Sequence, residues 1–317
     1  MSATLVYGDE DAILVDAWAT YDQADALADW IETKGRRLSR VYITHGHGDH
    51  WLGLARLAER FPGVRGLATS EVLARVEFEA GPGMAGHWEG IFPGEVPTGD
   101  DKVLPELLTT DTIDLEGNEL RIIRIGQADT AEATVLHIPS LGAVETGDLA
   151  YNEVHMMTAE TGDAERAGWI AKLDVVAALE PTFVVAGHRM VANDNDPKII
   201  AESQQYLRDF SAAVIEEATA AGIVTGLVNK KPTLASGLPS THSSRTPVGH
   251  SPSGPLRWLN CSTKSASTRR RSAGSVMTVA TAGESATTPC LRWNVKLGSA
   301  VRLASRSRIR GPGTPLR

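Results

Sequence analysis

The feature that most constrains this chain is a cluster of metal-ligand side chains in the segment Thr44-His-Gly-His-Gly-Asp-His50. Three imidazoles and one carboxylate fall within six positions, and two glycines lie among them. Neutral imidazole and carboxylate are the ligands that zinc, iron and manganese prefer. Without a metal, four such groups at the end of a strand would repel one another and lose hydration without compensation. The cluster therefore predicts a metal centre.

The residues around this cluster indicate how its ligands are presented. Arg40-Val-Tyr-Ile-Thr44 is apolar and β-branched, which is typical of a strand that leads into the loop. His45 and His47 alternate, so both point the same way in an extended segment. Asp49 and His50 follow a glycine, where the chain can turn and aim a second pair at a neighbouring point. The loop thus predicts two adjacent groups of ligands.

Strand and helix patterns follow one another over the first two thirds of the chain. Short apolar runs have the length of strands, and the segments after several of them carry apolar residues at helical spacing. The predicted strands are 12–16, 40–44, 120–125, 134–138, 143–146 and 183–186, and the predicted helices are 20–34, 51–60, 70–76, 164–179 and 197–218. Residues 81–105 are rich in Gly and Pro and are predicted to form a long loop. This order indicates an α/β fold of sheets covered by helices.

The charge distribution divides the chain near residue 230. Residues 1–230 carry 17 Lys and Arg against 38 Asp and Glu, whereas residues 231–317 carry 14 against one acid, Glu284. We predict a folded domain over 1–228 and a basic, Ser- and Arg-rich tail over 229–317. The tail has too little apolar content to offset chain entropy, so we expect it to be disordered or a non-native, out-of-frame extension. A basic arm for nucleic acid or anionic surfaces is the functional alternative.

Composition also narrows the environment and the partners. No apolar stretch of about 18 residues is present, so no membrane span is expected. The N-terminus lacks the basic start and apolar block of a secretory signal. Cys261 and Cys290 are far apart and far from the histidines, which predicts neither a disulfide framework nor a zinc finger, and cytoplasmic residence is the default expectation. The acidic body disfavours nucleic acid as a partner, and the oligomeric state stays open.

Three motifs make the chain similar to a known family. Thr44–His50 matches the signature loop of the metallo-β-lactamase-fold hydrolases, and the resemblance extends over most of residues 1–220. Thr146-Gly-Asp148 resembles the family's bridging aspartate, and Val184-Val-Ala-Gly-His188 resembles the strand end that supplies its last histidine. The resemblance implies a four-layer αβ/βα sandwich that holds one or two zinc ions per chain, with iron or manganese as alternatives. The implied ligands are His45 and His47 in a first site, Asp49, His50 and His188 in a second, and Asp148 between them.

Two departures from the family pattern affect these implications. The family supplies a third histidine to the first site shortly after a glycine, and Ile125-Gly-Gln-Ala-Asp-Thr130 has Gln127 in that place. We predict that Gln127 is a weak metal ligand and that Asp129 is a turn residue more than a substitute donor. Family members also have additional strands before the one predicted at 12–16, where this chain has about ten residues. The first sheet is therefore expected to be N-terminally shortened.

The resemblance implies a hydrolase that acts on a small-molecule substrate. A metal lowers the pKa of bound water toward neutrality, and the resulting hydroxide would attack a lactone, ester or β-lactam carbonyl. Asp49 would bind metal and orient this nucleophile. Tyr151 stands three residues after Asp148, as does a tyrosine that donates to the substrate oxygen in lactonases of this fold. Tyr151 is therefore a candidate oxyanion donor, with a rim aromatic as the alternative, and its spacing favours a lactone or an ester.

Other functions of the same fold compete with this one. Thioester hydrolysis, as in glyoxalase-like relatives, uses similar chemistry. A persulfide dioxygenase needs one iron but conventionally uses the histidine that Gln127 replaces. A non-catalytic relative that binds a ligand or partner is favoured by Gln127 and by the short start, and its behaviour need not depend on metal. A nucleic-acid processing relative is disfavoured by the acidic body.

Overall fold

In a computed structural model, the described residues are 1–81, 84, 86–190, 193–217, 219–230, 234, 271–272 and 275–283. The strands are β1 Ser2–Tyr7, β2 Asp11–Val15, β3 Arg37–Tyr42, β4 Arg65–Ala68, β5 Glu106–Leu107, β6 Thr112–Leu115, β7 Asn118–Gly126, β8 Ala133–Ile138, β9 Ala143–Glu145, β10 Tyr151–Asn152, β11 Phe183–Val185, β12 His188–Arg189, β13 Arg271–Ser272, β14 Ser275–Val276 and β15 Thr278–Gly283. The helices are α1 Tyr21–Glu32, α2 Gly48–Trp51, α3 Leu54–Arg60, α4 Ser70–Ala80, α5 His87–Ile91, α6 Asp163–Ala177, α7 Lys198–Glu216 and α8 Ala220–Lys230. None of the helices in these ranges is long and apolar enough to cross a membrane.

Two sheets pack face to face between layers of helices. The first has the strand order β15-β1-β2-β3-β4-β5, and the second has the order β11-β9-β8-β7-β6. Because side chains alternate along a strand, Leu14 of β2 packs with residues of α1, α3 and α4, whereas Ile13 and Val15 pack against the second sheet. On the far side of the second sheet, Val135 of β8 packs with residues of α6 and α7. The predicted four-layer αβ/βα sandwich is confirmed.

The strand and the helix on either side of the metal-ligand loop end and begin at other residues than predicted. β3 ends at Tyr42, so Ile43 and Thr44 already belong to the connection. The helix predicted over 51–60 is divided into α2 and α3, and Gly53 lies between them. A Cβ on Gly53 would lie 2.1 Å from the carbonyl oxygen of Ala17, so glycine is required for this close approach. The predicted loop 81–105 contains the short helix α5.

The outer edge of the first sheet also differs from the prediction. β1 pairs antiparallel with β2 on one side and with β15, from the predicted tail, on the other. Met277 and Val279 are buried in the core between the two sheets. Residues 278–283 thus form a strand where disorder was predicted, because so short an alternating segment is hard to recognise within a composition rich in Ser, Thr and Arg.

Most of the predicted tail is not covered by this finding. Of the rest of 229–317, the structure describes only 229–230, 234, 271–272 and 275–277. The other residues, with the expectations that fall on them, lie outside the described part of the chain. The domain boundary between 228 and 229 stays a prediction.

Candidate metal centre

The ligand loop lies at the carboxyl end of β3, where the backbone changes from extended to helical. His47 has extended dihedral angles, and the helical residues of α2 begin at Gly48. His45 lies in a bend over residues 44–46 and His47 is extended, whereas Asp49 and His50 belong to the first turn of α2. All four are buried. This change of backbone places His45 and His47 in one group of potential ligands and Asp49 and His50 in a neighbouring one.

The first group of potential ligands contains His45, His47 and Asp129. Asp129 Oδ2 lies 3.0 Å from His47 Nδ1 and 3.6 Å from His45 Nε2. A tight turn brings Asp129 to this position: Gly126 has a φ of +76°, and Asp129 Oδ1 accepts a hydrogen bond from the Thr130 backbone N–H at 2.8 Å. One carboxylate oxygen therefore holds the turn while the other faces the histidines.

Gln127, the predicted third ligand of this site, lies in the same turn but is bonded elsewhere. Its side-chain amide donates to the backbone carbonyl of Ala128 at 3.0 Å. Asp129, predicted as a turn residue, takes both roles and is the side chain that meets the two histidines. The sequence favours a turn role for Asp129 because aspartate is common in turns for its local hydrogen bonds alone.

The second group contains Asp49, His50 and His188. Asp49 Oδ2 lies 3.4 Å from His188 Nε2 and 3.8 Å from His50 Nε2. Asp148 faces the same two histidines, with Oδ1 3.4 Å from His50 Nε2 and Oδ2 3.3 Å from His188 Nε2. Asp148 also forms a group with His45 and His50. It therefore lies between the two groups.

The second sheet and the short β10–β12 pair bring Asp148 and His188 together. Asp148 follows β9, and His188 is the first residue of β12. In the β10–β12 pair, His188 lies opposite Tyr151. A Cβ on Gly187 would lie 2.3 Å from Asp148 Oδ1. Glycine at this position therefore lets the backbone before His188 pass directly beside the carboxylate.

Several atoms of the site are buried and have no hydrogen-bond partner among the described residues. A buried polar atom in this state costs about 1–3 kcal/mol, so a concentration of them at one point requires an explanation. A divalent cation would satisfy imidazole nitrogens and carboxylate oxygens together. The residues present therefore fit a metal centre. The atoms are His45 Nε2, His50 Nε2, Asp129 Oδ2 and Asp148 Oδ1.

The charge states of the metal-free ligands differ, and only some of them suit a bound cation. Burial, reinforced by His50, lowers the pKa of His45 well below its usual value, so this imidazole is neutral and keeps a lone pair. Burial opposes the charge on His50, but the carboxylates of Asp148 and Asp16 outweigh it and raise the pKa to about 10. Burial raises the pKa of Asp129 to about 6. A bound cation would favour the neutral imidazole and the ionised carboxylate instead.

The outer nitrogens of two loop histidines contact acidic side chains. His50 Nδ1 lies 2.8 Å from Asp16 Oδ2, and His47 Nε2 lies 3.3 Å from Glu160 Oε1. Such contacts fix the ring orientation and tautomer of a metal-binding histidine. Neither acid could be predicted from the sequence, because they lie 34 and 113 residues from their histidines and carry no local signal.

Tyr151, the candidate oxyanion donor, lies in the site beside Asp148. Its hydroxyl donates to Asp148 Oδ2 at 2.6 Å, and its ring stacks on His188 with centroids 5.4 Å apart. Burial and the Asp148 carboxylate raise the pKa of Tyr151 well above its usual value, so the hydroxyl stays protonated. The His188 side chain is 24% exposed, whereas those of the other acids and histidines of the two groups are at most 9% exposed. The site therefore opens to solvent on the His188 side.

A family model described as the metallo-beta-lactamase superfamily matches residues 2–188. The match covers more than half of the chain and includes both groups of ligands. The chain therefore belongs to the metallo-beta-lactamase superfamily. Comparison with curated proteins gives no match.

Solved structures with a similar fold belong to the same superfamily. A metallo-beta-lactamase from Pontibacter korlensis is 20% identical with a TM-score of 0.50, and the match covers 65% of this chain and 86% of that one. A metallo-beta-lactamase family protein from Thermus thermophilus is 18% identical with a TM-score of 0.52, over 68% of this chain and 78% of that one. At these identities the likeness shows the fold alone.

Proposed function

We propose that this chain is a metal-dependent hydrolase of a small-molecule lactone, ester or β-lactam. The observation that carries the proposal is the convergence of two His- and Asp-containing groups on Asp148, with four of their donor atoms buried and without a partner. Such an arrangement is costly unless cations occupy it.

The proposed ligands divide between two neighbouring ions, with Asp148 shared. A bound divalent ion supplies a water of lowered pKa and polarises the substrate carbonyl. Zinc suits both groups, and the carboxylate in the first group also suits iron or manganese. The first ion would be held by His45, His47 and Asp129, and the second by Asp49, His50 and His188.

Two further roles follow from contacts of the chain itself. The Asp49 carboxylate lies against His50 and His188 at the buried side of the site, where it can orient the nucleophilic water by accepting a hydrogen bond. The protonated Tyr151 hydroxyl can donate to the oxyanion that develops on the substrate carbonyl. Tyr151 stacks on His188, whose side chain has the largest exposed fraction among the acids and histidines of the two groups. This placement favours a lactone or an ester within the class.

A non-catalytic relative is the competing function. Its best support is Gln127, which departs from the family ligand. Asp129 weakens that support, because its carboxylate stands beside both histidines of the first group. The two functions differ in metal dependence, since a non-catalytic relative could bind its ligand or partner equally well with and without a chelator.

Hydrolysis is tested with the full chain stripped by chelator and reloaded with Zn²⁺. The substrates are a γ-lactone, an aryl ester, a thioester and a chromogenic cephalosporin. We expect turnover of at least one substrate, its loss on stripping and its return with metal. His47→Ala should abolish this turnover, whereas the matched control His137→Ala, on β8 outside both groups, should retain it. Turnover that is equal with and without metal, or that survives in His47→Ala, would contradict the proposal.

Asp129→Asn is expected to remove about one metal ion per chain. The asparagine oxygen can still accept from the Thr130 N–H and hold the turn, but the anionic oxygen that faces His45 and His47 is lost. Gln127→Ala is the matched control in the same turn and should retain the wild-type metal content, whereas Gln127→His should tighten the first site. Elemental mass spectrometry after gel filtration measures all three variants. A loss of metal in Gln127→Ala, with none in Asp129→Asn, would restore Gln127 as the ligand.

A further inference from the structure

His47 is held from both sides by acidic side chains. Its Nδ1 lies 3.0 Å from Asp129 Oδ2 in the first metal group, and its Nε2 lies 3.3 Å from Glu160 Oε1. Neutral imidazole has one N–H donor and one acceptor nitrogen, so the group that accepts from one nitrogen decides which nitrogen keeps its lone pair. Glu160 lies between β10 and α6, in a segment to which neither the family motifs nor the proposed ligands belong.

Glu160 is itself fixed by an arginine of α4. Arg75 Nη1 donates to Glu160 Oε2 at 2.9 Å, and Arg75 Nη2 donates to Glu160 Oε1 at 2.6 Å. This paired contact matches the planar fork of a guanidinium to both oxygens of a carboxylate, which restricts the direction of each group. Oε1 therefore meets His47 with a defined orientation.

Arg75 is in turn tied to the backbone of the ligand loop. It donates to Glu79 Oε1, and Glu79 Oε2 accepts from the Gly48 backbone N–H at 3.2 Å and from Trp88 Nε1 at 2.8 Å. Glu79 is buried. One arginine thus connects the backbone immediately after His47 with the acid on the outer nitrogen of the His47 ring.

The first glycine of the loop makes this connection sterically feasible. A Cβ on Gly46 would lie 2.3 Å from Arg75 Cγ and 2.6 Å from Arg75 Cβ. The aliphatic part of Arg75 therefore packs directly on the loop backbone, at a distance that only glycine allows. The contact brings the guanidinium within reach of Glu79 and Glu160 together.

We propose that Glu160, oriented by Arg75, is a positioning residue for the first metal site. Its carboxylate accepts a hydrogen bond from the Nε2–H of His47. The Nδ1 lone pair of His47 is then free to face the metal position between His47, His45 and Asp129. This inference rests on the proposed function, because it takes His47 as a metal ligand. The competing role is purely structural: Glu160 would join α4 to the segment before α6 without affecting the metal.

Site-selective metal affinity separates these two roles. The full chain and its variants are titrated with Zn²⁺ against a chromophoric chelator, and Asp129→Asn identifies the binding step of the first site. Loss of an outer-shell partner typically weakens metal binding about 10–100-fold. Glu160→Ala is therefore expected to weaken the first step by about 10–100-fold and to leave the second unchanged. Glu160→Gln keeps an acceptor oxygen and the shape of the side chain, so its zinc affinity at the first step should lie between those of wild type and Glu160→Ala.

The matched control is Glu165→Ala. Glu165 lies five residues further on, and its carboxylate accepts from the Gly162 backbone N–H at 3.0 Å at the start of α6. Its loss should affect local helix stability and neither metal step. Nitrogen-15 NMR of the zinc-loaded chain provides a second readout, since the His47 ring should be the Nε2–H tautomer in wild type and in Glu160→Gln.

The outcomes distinguish this inference from the proposed function. The positioning role would be overturned if Glu160→Ala had unchanged zinc affinities, if it lost affinity equally at both binding steps, or if Glu165→Ala lost as much. The proposed hydrolase would still stand in these cases, provided that wild type binds zinc in two steps. If Glu160→Ala does not fold, the comparison of Glu160→Gln with wild type decides, and equal first-step affinities with an Nδ1–H tautomer would overturn the role. A wild-type chain that binds no zinc would overturn both.

Discussion

Asp148→Asn is expected to reduce hydrolytic turnover by at least about 1,000-fold, which corresponds to about 4 kcal/mol of transition-state stabilisation. Asp148 is the acid that faces both groups: its oxygens lie 3.4 Å from His50 Nε2 and 3.3 Å from His188 Nε2 in the second group, and it also forms a group of potential ligands with His45 of the first. Asparagine keeps the shape of the side chain but lacks the charge that would hold two cations. The loss of metal-based charge stabilisation, worth several kcal/mol, accounts for the expected size of the effect.

The variant is measured by steady-state kinetics on the substrate that wild type turns over. Asp174→Asn is the matched control, because Asp174 is an exposed residue of α6 that belongs to neither group of ligands. Its carboxylate accepts a hydrogen bond from Gln204 of α7. This control should retain wild-type turnover. Activity of Asp148→Asn within about tenfold of wild type would show that Asp148 does not link the two groups.

Asp16→Ala is expected to lower the free energy of unfolding of the metal-free chain by about 3–5 kcal/mol, the usual cost of removing one partner from a buried charged pair. Asp16 is fully buried and accepts from the Thr44 backbone N–H and hydroxyl, each at 2.9 Å, and from His50 Nδ1 at 2.8 Å. Alanine would leave these donors without a partner. It would also occupy a backbone with a φ of +62°, where asparagine and aspartate are better tolerated.

Urea unfolding monitored by circular dichroism measures this effect. Asp16→Asn keeps one acceptor oxygen and tolerates the left-handed backbone, so its loss should be smaller than that of Asp16→Ala. Asp11→Ala is the control at the opposite end of β2 from Asp16, because Asp11 pairs with an exposed Arg37, and such surface pairs contribute little to stability. A loss below about 1 kcal/mol in Asp16→Ala would mean that the buried contacts of Asp16 do not stabilise the loop.

The ligand loop and the sandwich could be predicted from the sequence because their signals are local. His45, His47, Asp49 and His50 stand within six positions, and the strands of the sandwich carry continuous apolar runs. The first sheet was predicted with less success. β1 was not predicted, and β15 lies in a Ser- and Arg-rich composition. The pairing of these two strands joins segments about 270 residues apart.

The remaining parts of the site depend on contacts between distant segments. Asp129, and not Gln127, lies beside the histidines because of the conformation of the turn after β7. The residue types in this turn do not predict which side chain faces the histidines. Asp16 and Glu160 act on the outer nitrogens of histidines from other parts of the chain. An isolated acid in a sequence is usually a solvated surface residue. These partners therefore emerge only when the strands and helices are assembled.

We propose that this chain holds a dinuclear metal centre, a claim that the metal content of the purified full chain can test. The chain is separated from loosely bound ions by gel filtration and measured by elemental mass spectrometry, with circular dichroism to verify that it is folded. We predict close to two divalent ions per chain in wild type and close to one in Asp129→Asn. A folded wild-type chain without metal, even after incubation with Zn²⁺, Fe²⁺ or Mn²⁺, would contradict the claim.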